Sequence, residues 1–280
     1  MHPPSESWAP IGIFDSGVGG LSVLREIHTQ LPDEALIYVA DSAHAPYGQR
    51  STDFIEQRAD ALVSFLIAQN VKAVVVACNT VTGVAIEQLR QRYAVPLIAI
   101  EPAIKPAANL TRSGVIGVLA TTQTLASASV HRLIAHHGQG KRFILQPCQG
   151  WVECVEHGDL HSDHTHTVVM QYVQPLLELG VDTLVLGCTH YPFLRPIIEN
   201  LTGPSCTLLD PASAVAREVR RQLELQGHLR SARTATNPQQ DLKVAGHFYY
   251  TTGNIAQACH LLPQLMGGSW LAQVQILSMI

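Results

Sequence analysis

Two short segments of this chain share a design that limits the folds it can adopt. Residues 71–80, VKAVVVACNT, and residues 181–190, VDTLVLGCTH, each begin with an apolar run and end in a cysteine followed by polar residues. A short apolar run bounded by a breaker is typical of a strand buried in a parallel sheet. In open α/β sheets, ligands bind beyond the carboxyl ends of such strands. The sequence therefore predicts two ligand-facing thiols, Cys78 and Cys188, one from each half of a duplicated unit.

Strand and helix patterns alternate around these segments in two similar series. The first series opens with residues 11–14 and the turn DSGVGG, and the second opens with residues 114–119. This alternation predicts an α/β fold of two pseudo-symmetric, three-layer domains with mainly parallel sheets and an active site in the cleft between them. We expect residues 1–100 plus 208–280 to form the first domain and residues 101–207 the second, because the tail has no counterpart in the repeat. The last strand is expected at 247–251.

The composition indicates a compact globular protein. Of the 280 residues, 46% are hydrophobic and 14% are charged, and the net charge of −4 gives no electrostatic reason to expect nucleic acid as a partner. No apolar run approaches the roughly 18 residues of a membrane span. The N-terminal residues lack the basic and apolar regions of a secretory signal. We therefore expect a cytoplasmic protein with reduced cysteines and no membrane partner.

Two thiols that face each other across a cleft suit proton transfer at a carbon atom. Inversion of a stereocentre needs a base on one face and an acid on the other, and a thiol, with a pKa of roughly 8.5, can serve as either. Asp15 and His190 are candidates to steer the two protonation states. Backbone N–H groups at the helix starts after Asp15, Cys78 and Cys188 are suited to hold a carboxylate. Neighbouring polar side chains can add neutral hydrogen bonds: Ser16, Asn79, Thr80 and Thr189.

The same residues leave two other classes of function open. A metal-dependent hydrolase would use Cys188, His190 and the histidines of the stretch HSDHTH at 161–166. No strand-end cysteine has standard ligand spacing to that stretch, and a solvated helix start explains it equally well. A non-catalytic protein that binds a small acid would use the cysteines only to line a pocket. Neither alternative explains why two cysteines end two equivalent strands.

The chain resembles the glutamate racemases in several strings that follow the order of that family. These are GIFDSGVGGLSVL, YVADSAHAPYG, VVVACNT, IEPAIKPA, GVLAT, LVLGCTHYPFL and FYYTTGN. Related aspartate racemases share the twin cysteines but not the DSGVGG turn or the YG loop. The resemblance implies an isomerase without metal or cofactor that converts L-glutamate to D-glutamate for peptidoglycan synthesis, cell wall biogenesis and cell shape. It also implies a homodimer, and a related amino acid such as aspartate is the alternative substrate.

The resemblance also assigns roles to individual residues. It implies that Cys78, assisted by Asp15, deprotonates D-glutamate, and that Cys188, assisted by His190, deprotonates L-glutamate. Each thiol returns the proton when the other acts as the base. A family glutamate near the second cysteine corresponds to Glu156, although prolines common in that motif are replaced here. The implied substrate-binding residues are Asp15, Ser16, Asn79, Thr80, Thr189 and His190, with Tyr47 and Gly48 for the side-chain carboxylate.

Overall fold

The structure, a computed structural model, describes residues 6–230, 246–267 and 272–277. Its strands form two sheets in which all hydrogen-bonded neighbours run parallel. The first sheet consists of β1 (Ile11–Asp15), β2 (Leu36–Ala40), β3 (Ala73–Val76), β4 (Leu97–Ala99), β9 (His247–Thr251) and β10 (Ala272–Ile276), in the order β10-β9-β2-β1-β3-β4. The second sheet consists of β5 (Val115–Ala120), β6 (Arg142–Pro147), β7 (Thr183–Leu186) and β8 (Thr207–Leu209), in the order β6-β5-β7-β8.

Helices connect the parallel strands, as parallel pairing requires. The α-helices are α1 (Leu21–Gln30), α2 (Thr52–Ala68), α3 (Asn79–Arg92), α4 (Ile104–Leu110), α5 (Thr122–Ala126), α6 (Ala128–His137), α7 (Trp151–Glu156), α8 (Asp163–Glu178), α9 (Arg195–Thr202), α10 (Ala212–Leu225) and α11 (Ile255–Met266). Short 3-10 helices cover Glu6–Trp8, Tyr47–Gln49 and Tyr191–Leu194. No helix in the described part of the chain combines the length and apolar character that a membrane span requires.

The side chains of β1 show why helices cover both faces of the first sheet. Successive residues of a strand point to opposite faces. Ile11 and Ile13 pack in one apolar cluster with residues of α1 and α10, whereas Phe14 packs in another with residues of α2 and α3. All five residues of the strand are buried. The expected architecture of two α/β domains with parallel sheets is therefore confirmed.

Two details differ from the sequence-based expectations. The strand at 247–251 is not the last one, because β10 pairs with β9 and ends the first sheet. The alternating pattern AQVQI, with Gln273 and Gln275 exposed, is typical of an edge strand and gives a weaker signal than a buried apolar run. In addition, β8 crosses the expected domain boundary between residues 207 and 208 and pairs with β7. We propose that the second domain extends through Leu209.

Candidate active site

The carboxyl ends of three buried strands lie around one cavity. Asp15 ends β1, Cys78 lies two residues beyond the neighbouring strand β3, and Cys188 lies two residues beyond β7 of the second sheet. The cavity is small and largely enclosed. Its lining includes nine of the predicted site residues: Ser16, Tyr47, Gly48, Cys78, Asn79, Thr80, Cys188, Thr189 and His190. The other two, Asp15 and Glu156, are not part of this lining and contact residues that are.

Cys78 lies in a polar but fully desolvated corner of the cavity. Its Sγ donates to Ser16 Oγ at 3.7 Å. Burial, and then the nearby Asp15 carboxylate, raise the pKa of this thiol. Asp15 itself has no exposed surface, and burial raises its pKa although His190 and the Gly20 N–H act in the opposite direction. On this side of the cavity, the Asp15 carboxyl group and the Cys78 thiol therefore both have raised pKa values, which favour their protonated forms.

Cys188 contacts an imidazole that is held by a carboxylate. Its Sγ lies 3.8 Å from His190 Nδ1, and His190 Nε2 lies 2.6 Å from Glu156 Oε1. Burial alone would lower the pKa of His190, but the hydrogen bonds with Cys188 and Glu156 raise it well above its ordinary value. The pair is thus an imidazolium facing a carboxylate, and its Nδ1–H is available to the Cys188 sulfur.

The glycines of the DSGVGG turn allow this pair to approach the first domain. A Cβ at Gly17 would overlap the Glu156 carboxylate, and a Cβ at Gly19 would overlap the His190 ring. The Val18 N–H, between them, donates to Glu156 Oε1 at 2.8 Å. The turn belongs to the same half of the chain as Cys78, and Glu156 and His190, which assist Cys188, pack directly against it.

Two bonds tie Thr189 into the first domain. Its Oγ1 donates to Asp15 Oδ2 at 3.2 Å, and its carbonyl accepts from Ser22 Oγ at 2.9 Å. Asp15 Oδ2 also accepts from the Gly20 N–H at 2.7 Å. Asp15 therefore connects the Cys78 side of the cavity with the loop that carries Cys188.

Asn79 is the clearest sign that the cavity takes a polar ligand. It begins α3, is buried, and lines the cavity. Among the described residues, neither its amide nitrogen nor its amide oxygen has a hydrogen-bond partner. A buried amide with both atoms unsatisfied costs free energy, of the order of 1–3 kcal/mol for each group, unless a ligand or water satisfies it.

The loop that carries Tyr47 and Gly48 is held by the buried carboxylate of Asp41. Tyr47 donates its hydroxyl hydrogen to this carboxylate, and Arg58 donates to both oxygens at 2.9 and 2.7 Å. Thr252 Oγ1, at the end of β9, donates to Asp41 Oδ1 at 2.8 Å. The Tyr47 hydroxyl is therefore engaged within the protein, in its bond to Asp41.

Two threonine hydroxyls that the sequence analysis did not single out, those of Thr121 and Thr124, lie beside Thr80 at the cavity. Thr80 Oγ1 lies 3.0 Å from Thr121 Oγ1 and 3.2 Å from Thr124 Oγ1. Thr121 lines the cavity, and a Cβ on Gly48 would lie 2.7 Å from the Cβ of Thr121. The repeat held a signal for it, because Thr121 follows β5 as Ser16 follows β1. Val152 and Pro46 also line the cavity, and no sequence feature pointed to them.

The residues do not provide a metal site at the histidine-rich stretch. Within the described ranges, no three His, Cys, Asp or Glu side chains converge to hold a metal ion. His161 and His164 are exposed, and Ser162 caps the start of α8. The structure therefore gives the metal-dependent hydrolase hypothesis no ligand set.

Comparisons with known proteins point to one family. The family model described as Asp/Glu/Hydantoin racemase matches residues 11–219. The glutamate racemase of Ectopseudomonas mendocina (strain ymp) is 48% identical over 273 residues, which cover 97% of this chain and 99% of that protein.

Solved structures give the same result. A glutamate racemase isoform from Bacillus anthracis matches with a TM-score of 0.84 and 31% identity, over 96% of this chain and 97% of that one. The Escherichia coli glutamate racemase in complex with L-glutamate and the activator UDP-MurNAc-Ala matches with a TM-score of 0.81 and 32% identity, over 96% and 98% of the two chains. The chain therefore belongs to the Asp/Glu/Hydantoin racemase family of isomerases and, within it, to the glutamate racemases.

Proposed function

We propose that this protein interconverts L-glutamate and D-glutamate by proton transfer at Cα between two thiols, without a cofactor. The observation that carries the proposal is the presence of Cys78 and Cys188 on one cavity, each at a strand end of a different sheet and each with its own acid–base partner. General acid–base catalysis by a positioned side chain typically contributes 10²- to 10⁴-fold to the rate. One such group on each face of Cα is the minimum that inversion requires.

In the proposed reaction, Cys188 as thiolate removes the α-proton of L-glutamate while Cys78 as thiol protonates the opposite face. The reverse reaction starts with Cys78 as the base. Asp15 assists Cys78, and the imidazolium of His190, held by Glu156, assists Cys188. His190 and Asp15 also change their hydrogen bonds when the thiols change protonation state, because each contacts its thiol directly or through Ser16.

Polar groups of the cavity can bind the rest of glutamate. The unsatisfied amide of Asn79 has both a donor and an acceptor for the α-amino and α-carboxylate groups. Ser16, Thr80 and Thr189 line the same space, and so do Tyr47 and Gly48 of the loop held by Asp41. We assign the side-chain carboxylate to that loop.

The biological setting follows from the reaction. A racemase that makes D-glutamate supplies a building block of peptidoglycan, and through it cell wall biogenesis and cell shape. Thiols that act as acid and base must remain reduced, which fits the cytoplasm. We also propose a homodimer, as in the family that the sequence resembles, and a glutamate ligand as the only required partner.

The test is to incubate the purified protein with L-glutamate in D₂O, with a chelator and no added cofactor. Optical rotation and the Cα proton signal are followed together. We expect rotation to fall to zero while deuterium enters at Cα. Reaction with aspartate and not glutamate would assign another substrate to the same chemistry. Absence of exchange with either amino acid would refute the two-thiol proposal.

A further inference from the structure

A buried tyrosine that does not line the substrate cavity contacts the DSGVGG turn from the first sheet. Tyr38 lies in the middle of β2 and has no exposed surface. Its ring packs in the same apolar cluster as Ile13 and residues of α1, and it stacks on the ring of Tyr249 with the centroids 5.4 Å apart. Its hydroxyl donates to the Gly17 carbonyl at 2.7 Å. Tyr38 therefore brings one hydrogen-bond donor to the turn.

The environment of the Tyr38 hydroxyl fixes the direction of this bond. Burial, and then the nearby Asp15, raise the pKa of Tyr38 well above its ordinary value, so the hydroxyl keeps its hydrogen at neutral pH. A hydroxyl buried among apolar side chains costs free energy unless it is hydrogen-bonded. A phenylalanine would fill the apolar space equally well. What the hydroxyl adds at this position is its hold on the Gly17 carbonyl.

Ser22 holds the other end of the same turn. It is buried in the first turn of α1. Its Oγ lies 2.9 Å from the Gly19 carbonyl oxygen and 2.9 Å from the Thr189 carbonyl oxygen, so its single hydrogen is shared between two acceptors. The carbonyls of Gly17 and Gly19 are therefore held by hydroxyls from two separate elements, β2 and α1.

The turn that these hydroxyls hold contacts the Glu156–His190 pair through its other groups. The Val18 N–H donates to Glu156 Oε1 at 2.8 Å. The carboxylate lies where a Cβ on Gly17 would be, and the imidazole ring lies where a Cβ on Gly19 would be. This fit leaves no space for a methyl group, so a shift of the turn displaces the pair.

We propose that Tyr38 is a positioning residue for Cys188 and that it acts through the turn and the Glu156–His190 pair. The inference rests on the proposed function. Without the Tyr38 hydroxyl, the Gly17 carbonyl loses its donor and the turn shifts. His190 then moves relative to the Cys188 Sγ, which lies 3.8 Å from its Nδ1. Tyr38 belongs to the first sheet and Cys188 follows a strand of the second, so one sheet positions the catalytic group of the other.

The contacts of the other thiol do not include the Gly17 carbonyl. The Cys78 Sγ donates to Ser16 Oγ at 3.7 Å. The carboxyl group of Asp15, which assists Cys78, accepts from the Gly20 N–H at 2.7 Å. We therefore expect loss of the tyrosine hydroxyl to slow proton transfer at one thiol and not at the other.

Variants that keep a single thiol test this difference. In Cys78→Ala the exchange of the Cα proton of L-glutamate in D₂O depends on Cys188, and in Cys188→Ala the exchange of D-glutamate depends on Cys78. Addition of Tyr38→Phe should lower the first rate by about 10-fold, as expected for a small displacement of a catalytic group, and leave the second unchanged. Ser22→Ala should act in the same direction. The matched control is Tyr93→Phe, which removes a tyrosine hydrogen bond of the same length, 2.7 Å, and should change neither rate.

Isotope effects give the same test in the protein with both thiols. When Tyr38→Phe slows the step at Cys188, the isotope effect on kcat/KM should rise with Cα-deuterated L-glutamate and fall with Cα-deuterated D-glutamate. A variant that only contains less folded protein changes neither isotope effect.

Two results would overturn the positioning role of Tyr38. One is an equal loss of exchange at the two thiols, and the other is unchanged exchange together with unchanged isotope effects. In both cases the wild type still exchanges the Cα proton, so the proposed function stands. A wild type without exchange at Cα refutes the proposed function, and the role of Tyr38 in it.

Discussion

The two thiols occupy equivalent strand ends in unlike surroundings. Cys78 contacts a hydroxyl and lies near a fully buried carboxyl group, whereas Cys188 contacts an imidazole that is paired with a carboxylate. On the Cys78 side, burial dominates and raises the pKa values of both Cys78 and Asp15. On the Cys188 side, the cost of burying His190 is offset by its partners, and its pKa is raised.

The comparison shows that the repeated fold determines where the two thiols lie, whereas neighbouring side chains determine how each thiol is protonated. The two parallel sheets place both thiols at the ligand edge, because the carboxyl ends of parallel strands lie at the same edge. The protonation behaviour of each thiol then depends on one or two side chains that the repeat does not share. The raised pKa values of Cys78 and Asp15 favour neutral groups on one side, and the raised pKa of His190 favours a positive charge on the other. A reaction that uses one acid and one base requires such a difference between its two sides.

The largest expected effect follows removal of either thiol. We expect Cys78→Ala and Cys188→Ala each to lower racemisation by about 10³-fold, within the range for loss of a general acid or base. In D₂O the remaining thiol should still exchange one enantiomer, so that Cys78→Ala deuterates L-glutamate and Cys188→Ala deuterates D-glutamate. NMR of the Cα proton measures this, with Cys206→Ala as control. Exchange of the same enantiomer by both variants would contradict the assignment of faces.

A smaller loss is expected when the partner of each thiol is removed. Asp15→Asn and His190→Asn should each lower kcat/KM by about 10²-fold. The loss must be equal in the two directions, because the equilibrium constant between enantiomers is one. The difference between the two sides should appear in the isotope effect, which should increase with Cα-deuterated D-glutamate in Asp15→Asn and with L-glutamate in His190→Asn. The same change with both substrates would show that the two partners are not specific to one thiol.

The glycine turn provides a way to disturb the Cys188 side from the first domain. In Gly17→Ala the new methyl group would overlap the Glu156 carboxylate, and we expect kcat/KM to fall by about 10-fold through displacement of His190. Gly246→Ala is a matched control, because its nearest neighbour is an ordinary 3.6 Å contact with Phe248. Urea midpoints should confirm that both variants remain folded. Wild-type activity in Gly17→Ala would show that Glu156 can shift without effect on His190.

The smallest effect concerns His247, a histidine whose pKa is lowered by burial. Burial, and then His28, lower the pKa of His247 from 6.5 to about 4. Between these values the unfolded chain binds more protons, so the stabilisation is present above pH 6.5 and is lost as pH falls through 4. After a discount for partial exposure, we expect a loss of roughly 1–2 kcal/mol. Urea unfolding at pH 7 and 4.5 should show a smaller loss in His247→Phe, and equal losses would contradict this.

Much of the fold was predictable because it depends on local patterns. The apolar runs before Cys78 and Cys188 correspond to β3 and β7, and the turn after residue 15 joins a strand to α1. Parallel α/β topology also fixes where the site lies, because residues at the carboxyl ends of parallel strands all lie at the same edge of the sheet. The short, half-exposed β10 escaped prediction because its alternation carries little apolar signal.

The contacts that distinguish the two thiols were harder to predict. Glu156 and His190 are 34 residues apart, and no periodicity or spacing relates them. The family resemblance named both residues, but it did not imply that they are hydrogen-bonded to each other. Likewise, the Asp41 carboxylate gathers partners from α2, from its own loop and from the end of β9, and only tertiary packing brings these together.

The hydrogen bond between Asp41 and Thr252 has a consequence for when the protein becomes active during its synthesis. Thr252 lies 211 residues further along the chain than Asp41, directly after β9, a strand that follows all four strands of the second sheet in the sequence. Contacts of such large sequence separation form late, and domains emerge from the ribosome in chain order. A nascent chain that has not yet added β9 already contains both cysteines but lacks one anchor of the Tyr47 loop. We therefore expect binding competence to follow translation of the last strands, so that the synthesising ribosome carries an inactive precursor.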